Sequence, residues 1–243
     1  MSSREEMLGV IRNILKTQEK GISEPAGRTL PPPLEGVLPA IPPEELADRF
    51  ETELQNLGCN AHRASSISEL KEVLCSILGQ VKAESVVISR NPILRELQID
   101  TMLEDEGIKV AAWPAGGAGA PGESSFADRC FAACAGITGV DFALAETGSL
   151  VLTSLTEGSQ LSSLAPPVYI ALYRRSQIRA SLDEVLQELP VSRDPGAPTS
   201  PARSLVFVTG ASKTADIEQI LIRGVHGPGK VHAILVEDSC RVE

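Results

Sequence analysis

Residues 142–153 read Phe142-Ala143-Leu144-Ala145-Glu146-Thr147-Gly148-Ser149-Leu150-Val151-Leu152-Thr153. Two apolar runs flank a bend around Glu146-Thr147-Gly148. The bend is too short for a crossover helix, so the runs must pair as an antiparallel hairpin. Other short, continuous apolar runs lie at Ser85–Ser89, Ile108–Ala112, Val168–Leu172, Ser204–Thr209 and Val231–Val236. Runs of this kind fit strands covered on both faces. Helical stripes separate them: Leu46, Phe50, Leu54 and Leu57; then Ile67, Leu70, Leu74, Ile77 and Leu78; then Leu182, Val185, Leu186 and Leu189. Ser66 with Glu69, and Ser181 with Glu184, are capping-box signatures at the starts of the second and third stripes. Helices between strands supply parallel crossovers. The predicted fold is α/β, with a mixed, mostly parallel sheet flanked by helices.

The chain has 243 residues, enough for one large domain or two small ones. Residues 4–19 read as an amphipathic helix, with Met7, Leu8, Ile11, Ile14 and Leu15 on one stripe. Residues 21–43 hold seven of the seventeen prolines and read as an extended linker. The expected organisation is therefore an N-terminal helix over 1–20, a Pro-rich linker over 21–43 and an α/β domain over 44–243. The helix folds back on its own domain or docks on another subunit. Two loops stand out: 114–122, rich in glycine, suits a lid or a backbone surface near a ligand, and 190–203, with four prolines, a surface excursion.

Composition narrows the function. Hydrophobic residues are 42% and charged residues 22%, as in a globular protein. Aromatics are 3%, too few for base-stacking platforms. The net charge is −10 and the pI about 4.9, with no Lys/Arg cluster beyond Arg174-Arg175. Nucleic acid and anionic membrane surfaces are disfavoured partners. No apolar run is long enough to span a bilayer, and the start carries no signal core, so the cytoplasm is expected. Five scattered cysteines read as reduced thiols.

Three bends carry candidate chemistry. In the hairpin, Glu146 suits a base, a nucleophile or a hydrogen-bond acceptor; Gly148 permits close backbone approach; Thr147 and Ser149 suit oxygen anions. The alternative is a turn whose polar groups satisfy one another. After the strand at 204–209, Gly210, Ser212, Lys213 and Thr214 open what reads as a helix, a place to hold phosphate or carboxylate. Asp216 and Glu218 would occupy the same end of that helix, which gives an acid-rich N-capped helix as the second reading. In Gly224-Val225-His226-Gly227-Pro228-Gly229, His226 supplies an imidazole, the side chain suited to proton transfer. His226 and His232 lack metal-ligand spacing, and Cys130 with Cys134 read as a packed i,i+4 helix pair, so no metal site is expected in this chain.

The run 136–152, Thr214-Ala215-Asp216-Ile217-Glu218, and Gly224-Val225-His226-Gly227-Pro228 together resemble the LUD-domain proteins, the lactate utilisation protein C family, and Leu161–Ile170 sits where that family has a similar segment. The resemblance covers about residues 44–238; Lys213 stands where the family more often has Arg. It implies a fold similar to the NagB/RpiA/CoA transferase-like group and a role in oxidising L-lactate beside two iron–sulfur proteins. Iron–sulfur clusters are then expected in those partners and no cofactor in this chain. On this reading Glu146 or His226 handles a proton. Thr147, Gly148, Ser149, Gly210, Ser212, Lys213, Thr214, Asp216, Glu218, Gly227 and Pro228 surround a small carboxylate or phosphate. A homo-oligomer is compatible with the sequence. The rival reading is a free-standing acyl or coenzyme A transferase-like, or ligase-like, enzyme using Glu146.

Overall fold

In the computed structural model, residues 4, 7–10, 41–113, 125–189, 204–215 and 221–241 are described. Residues 1–40 and 41–243 form separate units. In the first, Arg4 and residues 7–10 are helical. The remainder of the expected helix, the linker up to residue 40 and the loops 114–122 and 190–203 lie outside the described residues.

The second unit opens with α1 (Leu46–Asn56), β1 (Asn60–Ala64), α2 (Ile67–Gln80) and β2 (Ser85–Ile88). There follow α3 (Pro92–Glu96), α4 (Ile99–Glu104), β3 (Lys109–Ala112), α5 (Phe126–Ala132) and β4 (Ala135–Thr138). The hairpin is β5 (Phe142–Leu144) and β6 (Ser149–Thr153), and then come α6 (Ser154–Glu157), α7 (Leu161–Leu164), β7 (Val168–Tyr173) and β8 (Ile178–Arg179). Last are α8 (Leu182–Glu188), β9 (Leu205–Val208), β10 (Lys213–Ala215), β11 (Leu221–Arg223) and β12 (Lys230–Val236).

Six strands form a parallel sheet in the order β1-β12-β7-β4-β2-β3. Alternation assigns its two faces. Val86, Ile88, Ile137, Ile170, Leu172, Ile234 and Val236 meet Leu70, Leu74, Leu97, Ile99 and Leu103 of α2–α4 and the turn between α3 and α4. On the other face, Tyr169, Ala171, Tyr173, Val231, Ala233 and Leu235 meet Phe50 and Leu54 of α1 and Ala143, Leu150 and Leu152 of the hairpin. Val87 meets Phe126 and Cys130 of α5 on that same side. Each fully buried Leu, Ile or Phe contributes about 1.5–3 kcal/mol.

The hairpin pairs antiparallel, with Leu144 opposite Ser149, inside a second sheet ordered β8-β5-β6-β9. The two predicted caps hold in a shifted form. Ser66 and Ser181 accept from the N–H of Glu69 and Glu184, while those carboxylates reach back to Ser65 and Ala180, one residue before each cap. A complete box, Ser125 with Asp128, starts α5.

Chain order positions the crevice. From β2, the chain passes through α3 and α4 to β3 on one side; it then returns through α5 to β4 on the other. The segments leaving the carboxyl ends of β2 and β4 therefore diverge. Open α/β sheets bind ligands at such a topological switch point.

Candidate functional site

The three predicted bends gather on the opposite side, where β1 and β12 begin. Gly148 has φ +64°, and a Cβ there would run into the backbone of Glu53 and Leu54. The glycine thus seats the hairpin on α1. Glu146 Oε1 accepts the Leu182 N–H at 3.0 Å, at the first residue of α8. Thr147 donates to Ser149 Oγ at 2.8 Å, and buried Ser149 pairs with Thr209 Oγ1 at 2.7 Å. Gly210, at φ +94°, lies over Leu57, and Lys213 Nζ donates to the Leu57 carbonyl at 3.2 Å. Ser212 binds the two loops: its N–H donates to Pro228 O at 2.8 Å, and its carbonyl accepts from Gly224 N at 3.0 Å.

Among the described residues, Ser212–Ala215 do not open the expected helix. Lys213–Ala215 is instead strand β10, paired antiparallel with β11, with Thr214 opposite Ile222. The two backbone bonds at Ser212 explain the change, because they hold the chain extended alongside 221–224. Asp216 and Glu218 lie outside the described residues. His226 is exposed, Pro228 is buried, and a Cβ on Gly227 would sit 3.3 Å from that of Ser212. The structure thus links the bends through Ser149–Thr209 and Ser212–Pro228. It does not bring the Glu146 and His226 side chains to one group, since the first is bound to the start of α8 and the second faces outward. Beside the 224–229 loop is a hollow of about 650 Å³ bounded by Arg223, Lys230, Cys134 and Pro167.

At the switch point, sequence reasoning missed a second set of residues. Glu157, at the end of α6, is fully buried. Its Oε2 accepts the Ser89 hydroxyl at 2.5 Å, and its Oε1 accepts from Asn91 Nδ2. Thr156 Oγ1 lies 3.2 Å from Glu157 Oε1 and 2.9 Å from Asp141 Oδ2. Asp141 also accepts the Thr153 N–H at 2.6 Å. Burial pushes the Glu157 carboxyl up to about 7, against the opposing hydrogen bonds from Ser89 and Asn91; nearby Asp141 adds to the rise. Burial also raises Asp141 above the ordinary aspartate value.

Ser89 and Asn91 form part of the wall of a hollow of about 380 Å³, with Arg90, Arg95, Asp100 and Trp113. Arg90 Nη2 donates to the carbonyls of Ser154 and Leu155, tying this wall to α6. Two glycines keep the packing tight: a Cβ on Gly139 would overlap the Asn91 side chain, and one on Gly158 would strike Trp113. The sequence signal was available, since Ser89-Arg90-Asn91 directly follows an apolar strand.

One further pairing differs from expectation, and one histidine contact was not foreseen. Cys130 lies in α5, but that helix ends at Ala132, so Cys134 is not its i,i+4 helical partner. Burial raises the Cys130 thiol to about 11. His232 instead meets His62 across β1 and β12, with Nδ1 and Nε2 3.1 Å apart. Among the described residues, no group of three or more His, Cys, Asp or Glu is placed to hold a metal ion.

Residues 47–236 match the sequence model of the LUD domain. A lactate utilization protein C of Halalkalibacterium halodurans is 28% identical over 72% of this chain and 73% of its own length. A lactate utilization protein C of Bacillus subtilis is 30% identical over 79% of this chain and 80% of its own length. A crystal structure of a DUF162 family protein from Deinococcus radiodurans superposes with a TM-score of 0.56 at 24% identity, covering 81% of this chain and 99% of that one. That likeness concerns the fold alone.

Proposed function

The chain belongs to the LUD-domain family, and from that membership we propose that it serves L-lactate utilisation as the component that binds a small carboxylate, beside two iron–sulfur proteins that carry the electrons. The names of its relatives support the pathway. The observation that carries the binding role is the hollow at the switch point. Arg90 and Arg95 set two cations against the single acid Asp100, Ser89 and Asn91 offer hydrogen bonds, and Trp113 supplies an apolar wall. Arginine suits a carboxylate because its planar fork matches the two oxygens. None of the ion pairs among the described residues uses Arg90 or Arg95.

Calorimetric titration with L-lactate tests this reading. Binding is expected, and Arg95→Ala weakens it about tenfold, as loss of one charge-assisted hydrogen bond does. Co-purification with the two iron–sulfur proteins, and lactate oxidation that stops when this chain is left out, test the assembly. Lactate oxidation at full rate without the chain contradicts the proposal. The rival use of Glu146 as an acyl acceptor requires its carboxylate to leave the Leu182 N–H.

A further inference from the structure

Glu157 never touches the hollow. It is completely enclosed, and Ser89 and Asn91 stand between it and the open space. Ser89 is 3% exposed, so its hydroxyl has few partners to choose from. A hydroxyl carries one proton and two lone pairs. While Glu157 is ionised it accepts only, so Ser89 must donate to it; one Ser89 lone pair takes the Asn91 N–H at 3.3 Å, and the other is offered to the hollow. Once Glu157 holds a proton, it can donate to Ser89, and the Ser89 proton turns outward. The polarity that Ser89 presents to the hollow thus follows the charge of the carboxyl behind it.

We propose that Glu157 is a positioning residue that acts through Ser89 to set which small acid the hollow accepts: a 2-hydroxy acid when Glu157 is ionised, a 2-oxo acid when it is protonated. A 2-hydroxy acid brings an O–H that needs an acceptor; a 2-oxo acid brings a carbonyl that needs a donor. A buried site that offers the wrong partner leaves a polar group unpaired, which is the strongest basis for rejecting a near-identical molecule. This inference rests on the reading of the hollow as a small-carboxylate site. It involves only the direction of hydrogen bonds, with no covalent or redox step.

The charged and titratable groups around Glu157 favour a switch near neutrality. Asp141 follows β4 and reaches Glu157 through Thr156. Tyr169, from β7, pairs with Thr138 and is itself raised by burial and by Glu157, so it stays neutral. Arg90, after β2, is turned to the carbonyls of Ser154 and Leu155. Burial then leaves the Glu157 carboxyl at about 7.

The test is to measure dissociation constants for L-lactate and pyruvate by calorimetry from pH 5.5 to 8.5. The affinity ratio, lactate over pyruvate, is expected to rise about tenfold across that range. Glu157→Gln presents a permanent N–H donor to Ser89, so its ratio stays flat and favours pyruvate. Ser89→Ala leaves Glu157 in place and flattens the ratio too, which covers the case where Glu157→Gln fails to fold. Binding of both acids with a pH-independent ratio in the natural protein overturns this inference and spares the proposed function. Failure of both acids to bind at any pH overturns the small-carboxylate reading and this inference with it.

Discussion

The Ser89 hydroxyl donates to the Glu157 carboxylate at 2.5 Å, although 68 residues separate the two along the chain. The contact joins the end of β2 to the end of α6 at the place where the crossovers diverge. It gives the fold a measurable pH signature. Glu157 is raised from 4.5 to about 7, so between those values the folded state keeps a proton that the unfolded state releases. Stability therefore falls as pH rises from about 4.5 through 7, by about 3 kcal/mol from this group. Because His232 works in the opposite sense over an overlapping range, the loss is read against the variant: in thermal unfolding the natural protein should lose stability relative to Glu157→Gln as pH rises from 4.5 to 7.

His232 acts in the other direction. Burial and its neighbours His62 and Lys230 hold it down to about 4, below its ordinary 6.5. The unfolded chain binds this proton first as pH falls, so stability decreases from about pH 6.5 down to about 4. In denaturant titrations at pH 6.5 and 4.5, His232→Gln should gain stability relative to the natural protein as the pH is lowered.

Gly148 offers a steric test. Gly148→Ala adds a Cβ at φ +64°, directed into the backbone of Glu53 and Leu54. Backbone cannot move aside as a side chain can, so a loss of about 2 kcal/mol or more is expected in urea unfolding. Gly107 is the control, since it has φ +78° but nothing within 4 Å of an added Cβ. Gly107→Ala should cost about 1 kcal/mol, the conformational strain alone.

Glu146 should behave as a helix-end acceptor. Glu146→Ala removes the bond to the Leu182 N–H and should cost about 1 kcal/mol, while Glu146→Gln keeps an acceptor oxygen and costs less. Mass spectrometry after incubation with an acyl-coenzyme A should find Glu146 unmodified. A covalent acyl adduct on that residue would revive the transferase reading.

The strands at Ser85, Val168 and Val231 were legible because their runs are mostly apolar, with His232 the one polar residue inside the last. The hairpin was legible because only a turn fits between Leu144 and Ser149. β1 and β4 were not, since Asn60–Ala64 is largely polar and Ala135–Thr138 contains small residues that carry little strand propensity. Their place in the parallel sheet comes from pairing with β12 and with β2 and β7. The resemblance implies that the 209–214 and 224–229 segments surround one small ligand; the structure joins them by backbone bonds at Ser212, where a strand stands in place of the start of the expected helix. A local pattern cannot register the backbone bonds from Pro228 and Gly224 that draw the chain straight. Glu157 escaped for a related reason. Its burial depends on Ser89 and Asn91, and nothing within Leu155-Thr156-Glu157-Gly158 signals a carboxylate without solvent.

The carboxyl end of the parallel sheet, and not the glycine-rich loops at its amino end, is where the small acid is expected to bind. An NMR titration of the isotope-labelled protein with L-lactate tests this directly. The shifted signals should cluster at the amides of Ser89, Arg90 and Asn91 and at the Trp113 indole N–H. Shifts confined to Ser212, Lys213 and the 224–229 loop would contradict it.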